Sequence, residues 1–278
     1  MTSHRQRNDA DRRGKRPFSK GPNRPDERGA ERPFEGKRED KRGPRAPKAP
    51  GGPDGAEWLW GWHAVVAALA NDSRAAPKRL LATPDRARQL TERFGRLAAL
   101  EETDNNAIAH AVPANAVHQG VALKIPPLEP LDLEELSEPA SGVILMLDQI
   151  TDPQNVGAIF RSAAAFGARG LVLQDRHTPP LAGALAKAAA GAVDVIPHAK
   201  VVNLSRALEK LTDLGWRAVG LDSAATGALA DVLDDRPTVI VLGSEGEGIR
   251  RLVAEHCDAL ALIPMPGGFE SLNVSNAA

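Results

Sequence analysis

The sequence predicts an α/β protein in which two folded domains follow a basic N-terminal tail. Its 278 residues, 42% of them hydrophobic, are enough for two small domains with their own cores. Aliphatic residues are almost absent before about residue 55, whereas short apolar strands alternate with helix-forming segments from residue 142 onwards. This alternation is typical of a mostly parallel sheet with helices on both faces, whose ligands lie beyond the carboxyl ends of the strands.

Residues 1–55 form a basic tail that we expect to be disordered, because so few apolar side chains cannot offset the entropy cost of ordering. Residues 1–56 contain 16 Lys and Arg against 9 Asp and Glu, and the remaining 222 residues contain 19 against 27. A basic tail on an acidic body favours a polyanionic partner whose phosphates exchange their counterions for Lys and Arg. A solubilising extension without a specific partner is the alternative.

The composition also argues against several classes of protein. A single cysteine, Cys257, excludes a disulfide framework and a multi-cysteine zinc site, and no cluster of residues has the spacing of metal ligands. The chain has neither a run of 18 apolar residues nor the apolar core of a signal peptide. We therefore expect a soluble, cytoplasmic protein with no metal and no membrane partner.

Residues 56–126 are predicted to form a small α/β domain, followed by a proline-stiffened linker over 127–141. Trp58, Trp60 and Trp62 alternate along the chain, so we expect them on one face of a strand, in a core or an interface. Stacking on RNA bases is the alternative for these side chains. The other predicted elements are a helix over 64–69, a strand over 78–83, a helix over 84–100 and a strand over 117–125.

Residues 142–278 are predicted to form the second domain. Its first strand, residues 143–147, is a continuous apolar run that ends at Asp148, as expected for a central parallel strand. The other predicted strands are 171–173, 193–196, 217–221, 238–242 and 259–263, and the predicted helices are 155–166, 181–190, 204–214 and 249–256.

The first loop of unusual composition covers residues 148–157 and leads into a helix that carries Arg161. Asn155 is suited to cap this helix, which is a purely structural role. Arg161 lies about 120° around the helix from Asn155, so periodicity alone does not direct both at one ligand. Apolar residues surround Arg161 in the sequence, and its burial would require an anionic or polar partner. An ordinary surface position is the alternative.

The second loop, residues 242–251, contains three glycines that allow a ligand to approach the backbone closely. Its spacing is neither that of a P-loop nor that of a dinucleotide fingerprint, which argues against nucleoside triphosphate chemistry and against a nucleotide-binding oxidoreductase. Glu245 and Glu247 suit a cationic ligand such as a sulfonium, although glutamates also interact with the dipole of a helix that they begin. The third loop, residues 263–278, predicts by itself only a Pro/Gly loop and a capped helix.

Taken together and in this order, the three loops resemble the three signature motifs of SpoU-type methyltransferases of the SPOUT superfamily. Residues 242–248, 263–265 and 271–275 match the second and third motifs almost residue for residue. The resemblance covers about 142–278 and implies a parallel sheet with a deep trefoil knot, an exception to the rule that chains are unknotted. It also implies a homodimer with the knot at its interface. The chain stops at Ala278, where the resemblance implies one further helix, so we expect either a truncated domain or a fragment of a longer sequence.

The resemblance implies S-adenosylmethionine as the cofactor and methyl transfer to a ribose 2′-hydroxyl of RNA as the reaction. Arg161 would act as the base or, because a guanidinium stays protonated, would instead orient the substrate and bind its phosphate. The functional polar positions of the family correspond to Asn155, Arg161, Glu245, Ser271 and Asn273. The positions around the cofactor correspond to Leu242, Gly243, Ile263, Met265, Ser271 and Leu272.

Residues 57 to about 125 resemble the substrate-binding domain of such enzymes, which has a ribosomal L30-like fold. The matching pieces are residues 61–65 and 118–121, so His63, His118 and Gln119, together with Arg161, are expected to contact RNA. Partly buried, hydrogen-bonded histidines are the alternative for His63 and His118. The two-domain arrangement favours a guanosine of 23S ribosomal RNA as the substrate. The alternatives are tRNA as the substrate of the same fold, or a non-catalytic RNA-binding factor in ribosome assembly.

Overall fold

The computed structural model describes residues 57–265, 267 and 272–278, all of which belong to one compact unit. The predicted tail and Ser271 lie outside the described residues. Two sheets are present, one in each predicted domain. In this part of the chain no helix combines the length and the apolar character that a membrane span requires, and no three His, Cys, Asp or Glu side chains are grouped as metal ligands.

The first sheet has four strands in the order β1-β4-β2-β3, and helices lie in its connections. Strand β4 is antiparallel to β1 and β2, whereas β2 and β3 are parallel. The prediction of a small α/β domain is therefore confirmed. The elements are β1 (Glu57–Trp60), α1 (Trp62–Ala70), β2 (Arg79–Ala82), α2 (Pro84–Phe94), β3 (Leu100–Glu102), α3 (Asn105–Ala111) and β4 (Val121–Ile125).

The first strand is shorter than the sequence predicts. Gly61, whose φ is 89°, ends β1, and Trp62 is already the first residue of α1. Trp58 and Trp60 share one face of β1, but the prediction that Trp62 joins them on a strand is wrong. The helix predicted over 84–100 is also too long, because Gly95 adopts a φ of 72° and ends it.

The second sheet has six strands in the order β10-β8-β9-β5-β6-β7, and all of its pairings are parallel. Its strands are β5 (Val143–Leu147), β6 (Gly170–Gln174), β7 (His198–Val201), β8 (Arg217–Leu221), β9 (Thr238–Leu242) and β10 (Ala259–Ala261). Its helices are α4 (Leu133–Ser137), α5 (Pro153–Phe166), α6 (Gly183–Ala189), α7 (Leu204–Asp213), α8 (Leu229–Val232), α9 (Arg251–Ala254) and α10 (Val274–Ala277). The predicted parallel sheet is confirmed.

Two further predicted segments, which lie beside the second sheet, differ from the structure. The strand expected over 193–196 is wrong: Ala192–Asp194 forms a short 3-10 helix, and the strand begins at His198. The predicted linker also contains helix α4, whose residues pack into the core of the second sheet. The Trp216 indole donates a hydrogen bond of 3.0 Å to the Ser137 carbonyl, which fixes the end of α4 on that sheet.

Helices cover both faces of the second sheet and create two apolar cores. Helices α5 and α6 pack on one face, and α4, α7 and α9 pack on the other. Helix α5 buries Val156, Ile159 and Phe160 completely. Gly157 allows α5 to approach α6 closely, because a Cβ atom there would lie 2.6 Å from the Leu185 carbonyl oxygen. The start of α5 is thereby held firmly above the carboxyl end of the sheet.

The two domains contact each other through a buried ion pair, which we call the junction pair. The Arg74 guanidinium lies 2.5 and 3.2 Å from the two oxygens of Asp194, and their side chains are only 3% and 2% exposed. The Asn71 amide donates a further hydrogen bond of 3.1 Å to Asp194. A buried pair needs such additional partners, because both charges have lost their hydration. The junction pair therefore fixes the first domain on the 3-10 helix of the second.

Candidate active site

The candidate site lies at the topological switch point of the second sheet, between β5 and β9. The chain runs from β5 outward to β7 and then crosses to β8 and β9, so the carboxyl ends of β5 and β9 border a crevice. Crevices of this kind are the usual ligand sites of open parallel sheets. The Asp148 amide donates to the Leu242 carbonyl at 2.8 Å, which places the first and second loops side by side.

Asp148 joins these two loops through its side chain as well. The carboxylate is fully buried and accepts hydrogen bonds from the Arg250 backbone amide at 2.9 Å and from its guanidinium at 2.7 Å. Neither residue was predicted to be functional. The available signal was an aspartate directly after an apolar strand, since a carboxylate in that position needs a partner when it is buried.

Glycines make the second loop tight. The amides and carbonyls of Ser244 and Gly248 form reciprocal hydrogen bonds of 3.1 and 3.0 Å. A Cβ atom on Gly243 would lie 2.1 Å from the carbonyl carbon of Gly248, a distance that no side chain can adopt. Gly246 and Gly248 have φ values of 101° and 67°, which favour glycine. The backbone conformation of this loop therefore requires glycine at these three positions.

The prediction that Asn155 caps the helix is wrong. Asp152 is the N-cap of α5, and its carboxylate accepts a hydrogen bond of 3.0 Å from the Asn155 backbone amide. Pro153 occupies the first turn, where a missing N–H costs nothing. The Asn155 side chain is thus available for another partner.

That partner is a group of three side chains, Asn155, Glu245 and Asn273, which we call the polar cluster. Glu245 Oε1 accepts hydrogen bonds from Asn155 Nδ2 at 3.0 Å and from Asn273 Nδ2 at 2.6 Å. Asn273 Nδ2 also lies 3.1 Å from Asn155 Oδ1. The three loops therefore converge on one carboxylate, and the amides partly neutralise its charge. Three of the five predicted functional polar residues meet here.

Asn273 has a second role in the same place. It is the N-cap of α10, and its Oδ1 accepts a hydrogen bond of 2.9 Å from the Ser275 amide. The side chain therefore uses its oxygen for the helix and its nitrogen for the polar cluster. The Asn273 amide thus holds the third loop both to helix α10 and to Glu245.

A cleft of about 670 Å³ lies beside the polar cluster. It is bordered by all the predicted cofactor positions that the structure describes, namely Leu242, Gly243, Ile263, Met265 and Leu272. Glu245 and Asn273 line the cleft as well. Asp222 and Ser223, at the end of β8, are further lining residues that the sequence did not indicate. The end of β8 thus contributes polar groups to the cleft, in addition to the residues that follow β9 and β10.

Arg161 is not part of the polar cluster. It lies on the exposed side of α5 and makes no hydrogen bond or ion pair with any other described residue. The apolar residues beside it in sequence point into the core instead. Its charge is therefore available to a ligand.

The predicted RNA-contacting residues of the first domain lie around the start of α1. His63 is exposed, and His118 Nδ1 accepts a hydrogen bond of 3.2 Å from the Gly120 amide. Gln119 Oε1 accepts from the Trp62 amide at 3.0 Å and from Lys187 Nζ at 2.8 Å. The nearby Arg86 guanidinium lies 4.5 Å from the centre of the Trp62 ring, a cation–π contact, and partial burial lowers the pKa of Lys187.

Comparison with known proteins agrees with this geometry. Residues 142–278 match the model of the SpoU rRNA methylase family, and residues 58–131 match the model of the RNA 2′-O ribose methyltransferase substrate-binding domain. The chain belongs to the SpoU methylase family. The recognition of this family from the three loops is therefore confirmed, as is an L30-like substrate-binding domain before the parallel-sheet SpoU domain. The trefoil knot stays a prediction, because the loop that would form it includes residues outside the described ranges.

Related sequences come from several bacteria. An uncharacterized tRNA/rRNA methyltransferase of Mycolicibacterium gilvum is 43% identical over 170 residues, which cover 59% of this chain and 54% of the relative. One of Synechocystis sp. is 39% identical over 234 residues, which cover 79% of this chain and 59% of the relative. This SpoU chain therefore matches only about half the length of such relatives.

Solved structures share the fold. The SpoU methyltransferase AviRb of Streptomyces viridochromogenes has a TM-score of 0.68 at 23% identity, covering 81% of this chain and 86% of that one. The AdoMet-bound rRNA methyltransferase of Sinorhizobium meliloti has a TM-score of 0.67 at 23% identity, covering 81% and 84%. At this level of identity the likeness establishes the fold of the SpoU chain.

Proposed function

We propose that this SpoU chain catalyses S-adenosylmethionine-dependent 2′-O-methylation of a ribose in RNA. The observation that carries the proposal is the polar cluster, in which the three loops meet, beside a 670 Å³ cleft that the second and third loops line. The names of the relatives and the substrate-binding match support RNA as the substrate.

The residues of the cleft fit the proposed cofactor. It is lined by residues at the ends of β8, β9 and β10, and its volume of about 670 Å³ is in the range of small-molecule sites. Gly243 has no side chain to obstruct the strand end, and Glu245 and Asp222 add acidic groups suited to a cation. Leu242, Ile263, Met265 and Leu272 would hold the cofactor. S-adenosylmethionine supplies a methyl group on a positively charged sulfur.

The polar cluster would orient the ribose. Asn155 and Asn273 present amide donors and acceptors whose positions are fixed by Glu245 and by the α10 cap. The attacking 2′-hydroxyl must lose a proton, and a guanidinium is a poor base because it stays protonated. We assign Arg161 the task of binding the substrate phosphate, which also accepts the proton. Fixed hydrogen-bonding groups of this kind lower the barrier because they need no reorganisation during the reaction.

A guanosine of 23S ribosomal RNA is the favoured target within this proposal, and tRNA is the alternative. The family match to an rRNA methylase favours the first, whereas the relatives are named for both RNAs. A homodimer through the SpoU domain is part of the proposal, with exposed Phe166 and Leu272 as apolar contact candidates. A non-catalytic assembly factor is disfavoured by the intact polar cluster.

The test begins with calorimetry of S-adenosylmethionine binding to this chain, followed by transfer of a radiolabelled methyl group to unmodified 23S RNA and to tRNA. Arg161→Ala is expected to bind the cofactor normally and to lose transfer by a factor on the order of 100. Arg206→Ala is the matched control, an exposed arginine on α7 across the sheet, and should transfer normally. Absence of cofactor binding, or equal transfer by both variants, would contradict the proposal.

A further inference from the structure

A second cleft, separate from the cofactor cleft, lies between the two domains and has a volume of about 520 Å³. We call it the interdomain cleft. One wall comes from the substrate-binding domain, through Trp58, Trp60 and residues 111–113. The other comes from the SpoU domain, through Pro153, Pro179, Pro180 and the first turn of α6.

Its lining is almost entirely apolar, and one tryptophan remains partly open. Trp60 is 92% buried, and its ring packs on Gly183, where a Cβ atom would lie only 3.0 Å away. Trp58 shares that face of β1 but is only half-buried, so part of its ring system is available to an occupant. Indole and proline surfaces are suited to a planar, uncharged ring.

The charges around the cleft select the kind of occupant. Glu57 is the one charged residue among those that line it, so a phosphate group would be repelled from the interior. Exposed arginines occur in the same segments, Arg161 further along α5 and Arg176 shortly before Pro179. Neither makes an ion pair with another described residue. This distribution fits a ligand that has an apolar planar part and an anionic backbone outside.

The cleft also shares helix α5 with the polar cluster. Pro153 lines the cleft and precedes Asn155 on α5 by two residues, which is about 3 Å along a helix axis. Two residues also turn a helix by about 200°, so Pro153 and the Asn155 side chain lie on different sides of α5, and the occupant would be a nucleotide next to the one whose ribose is oriented. Both domains contribute walls, so an occupant of the cleft contacts the substrate-binding domain and the SpoU domain at the same time.

We propose that the interdomain cleft binds an unpaired nucleobase of the RNA substrate. The base stacks on Trp58, and the backbone phosphates next to it lie near Arg161 and Arg176. This inference rests on the proposed function, because it takes RNA as the ligand. Stacking on an aromatic side chain tolerates any base, so the cleft adds affinity and position and leaves base identity to other contacts.

The test uses single-stranded RNA oligonucleotides that carry one 2-aminopurine, whose fluorescence is quenched when it stacks. Trp58→Ala should lose most of this quenching and bind the RNA about tenfold more weakly or worse, since each stacked base contributes that much. Trp58→Phe retains a stacking ring and should restore most of both signals. Leu252→Ala, which removes an apolar side chain that is 56% exposed on α9, is the control outside the cleft.

The outcomes separate this inference from the proposed function. Calorimetry of S-adenosylmethionine binding shows that each variant keeps its cofactor site. Quenching and RNA affinity equal to those of the unsubstituted chain in Trp58→Ala would overturn the inference even if methyl transfer is observed. Self-association that is lost in Trp58→Ala while RNA binding is unchanged would also overturn it, since the cleft would then be a protein contact. Quenching that depends on Trp58, in a chain without methyl transfer, would support the cleft and refute only the enzymatic proposal.

Discussion

The junction pair and the polar cluster both connect parts of the chain that are far apart in sequence, but they differ in burial. Arg74 and Asp194 are almost completely removed from water, whereas Glu245 and Asn273 are exposed and Asn155 is half-buried. Loss of one member of a buried pair leaves an uncompensated charge, which costs stability. Loss of an exposed member leaves a group that water can solvate, so little stability changes. The first group should therefore support the fold, and the second should support the reaction.

Removal of one charge from the junction pair should have the largest effect. We expect Asp194→Ala to lower the free energy of unfolding by about 3–5 kcal/mol, because Arg74 would remain buried without a counterion. Urea unfolding followed by circular dichroism measures this loss. Glu101→Ala, which breaks an ion pair whose members are 48% and 50% exposed, is the control and should cost less than about 1 kcal/mol. Equal losses of unfolding free energy in the two variants would show that burial does not distinguish the junction pair from an exposed ion pair.

A second buried group near the junction should make stability depend on pH. His198 is 2% exposed, and its Nε2 has no hydrogen-bond partner among the described residues. Burial, aided by Lys200 and Arg74, lowers its pKa from 6.5 to about 4. The unfolded chain therefore binds a proton more readily, so the stability that the neutral ring provides is present above pH 6.5 and is lost as the pH falls to about 4.

The shift of His198 corresponds to about 3 kcal/mol, since one pKa unit is about 1.4 kcal/mol. Urea unfolding at pH 7.5 and pH 4.5 should show a larger difference for the unsubstituted chain than for His198→Leu, which cannot bind the proton. The difference between the two proteins removes the contributions of other groups that titrate. Identical pH dependence in both would show that the ring is protonated without cost.

The smallest effect on stability is expected in the polar cluster. Asn273→Asp keeps the oxygen that caps α10 but replaces the amide donor with a second carboxylate beside Glu245. We expect methyl transfer to fall at least about tenfold, the equivalent of one lost hydrogen bond, with unfolding changed by no more than about 1 kcal/mol. Asn273→Ala removes the cap as well, so its additional loss of about 1 kcal/mol of stability isolates that role. Normal transfer by Asn273→Asp would assign Asn273 to the helix alone.

The sequence predicts those features that depend on neighbouring residues. The apolar runs of β5, β6 and β9 are uninterrupted, and each forms a strand of the parallel sheet. The composition of the second loop predicts a close backbone approach, which Gly243 demonstrates. The family motifs identify Asn155, Glu245 and Asn273 as functional positions, and the structure shows that these three side chains meet.

The errors arise where the local sequence allows two interpretations. Asp152 and Asn155 are both good N-cap residues, and Pro153 is what makes Asp152 the better one, since proline is favoured at the first helical position. Residues 193–196 alternate like a strand, but the charge of Arg74, 120 residues away, holds Asp194 in a 3-10 helix. The residues around Asp194 give no information about where Arg74 lies in the folded protein, so the local sequence cannot predict this contact.

The same separation in sequence determines when the site can exist during folding. Asp148 and Arg250 are 102 residues apart, and Asn155 is 90 residues from Glu245 and 118 from Asn273. Contacts of such length form late, because the loop between them must be ordered before they contribute any stability. A nascent chain that has not yet completed β9 therefore contains the whole first domain but no polar cluster. On the ribosome, the first domain would be complete before the site that we propose for methyl transfer.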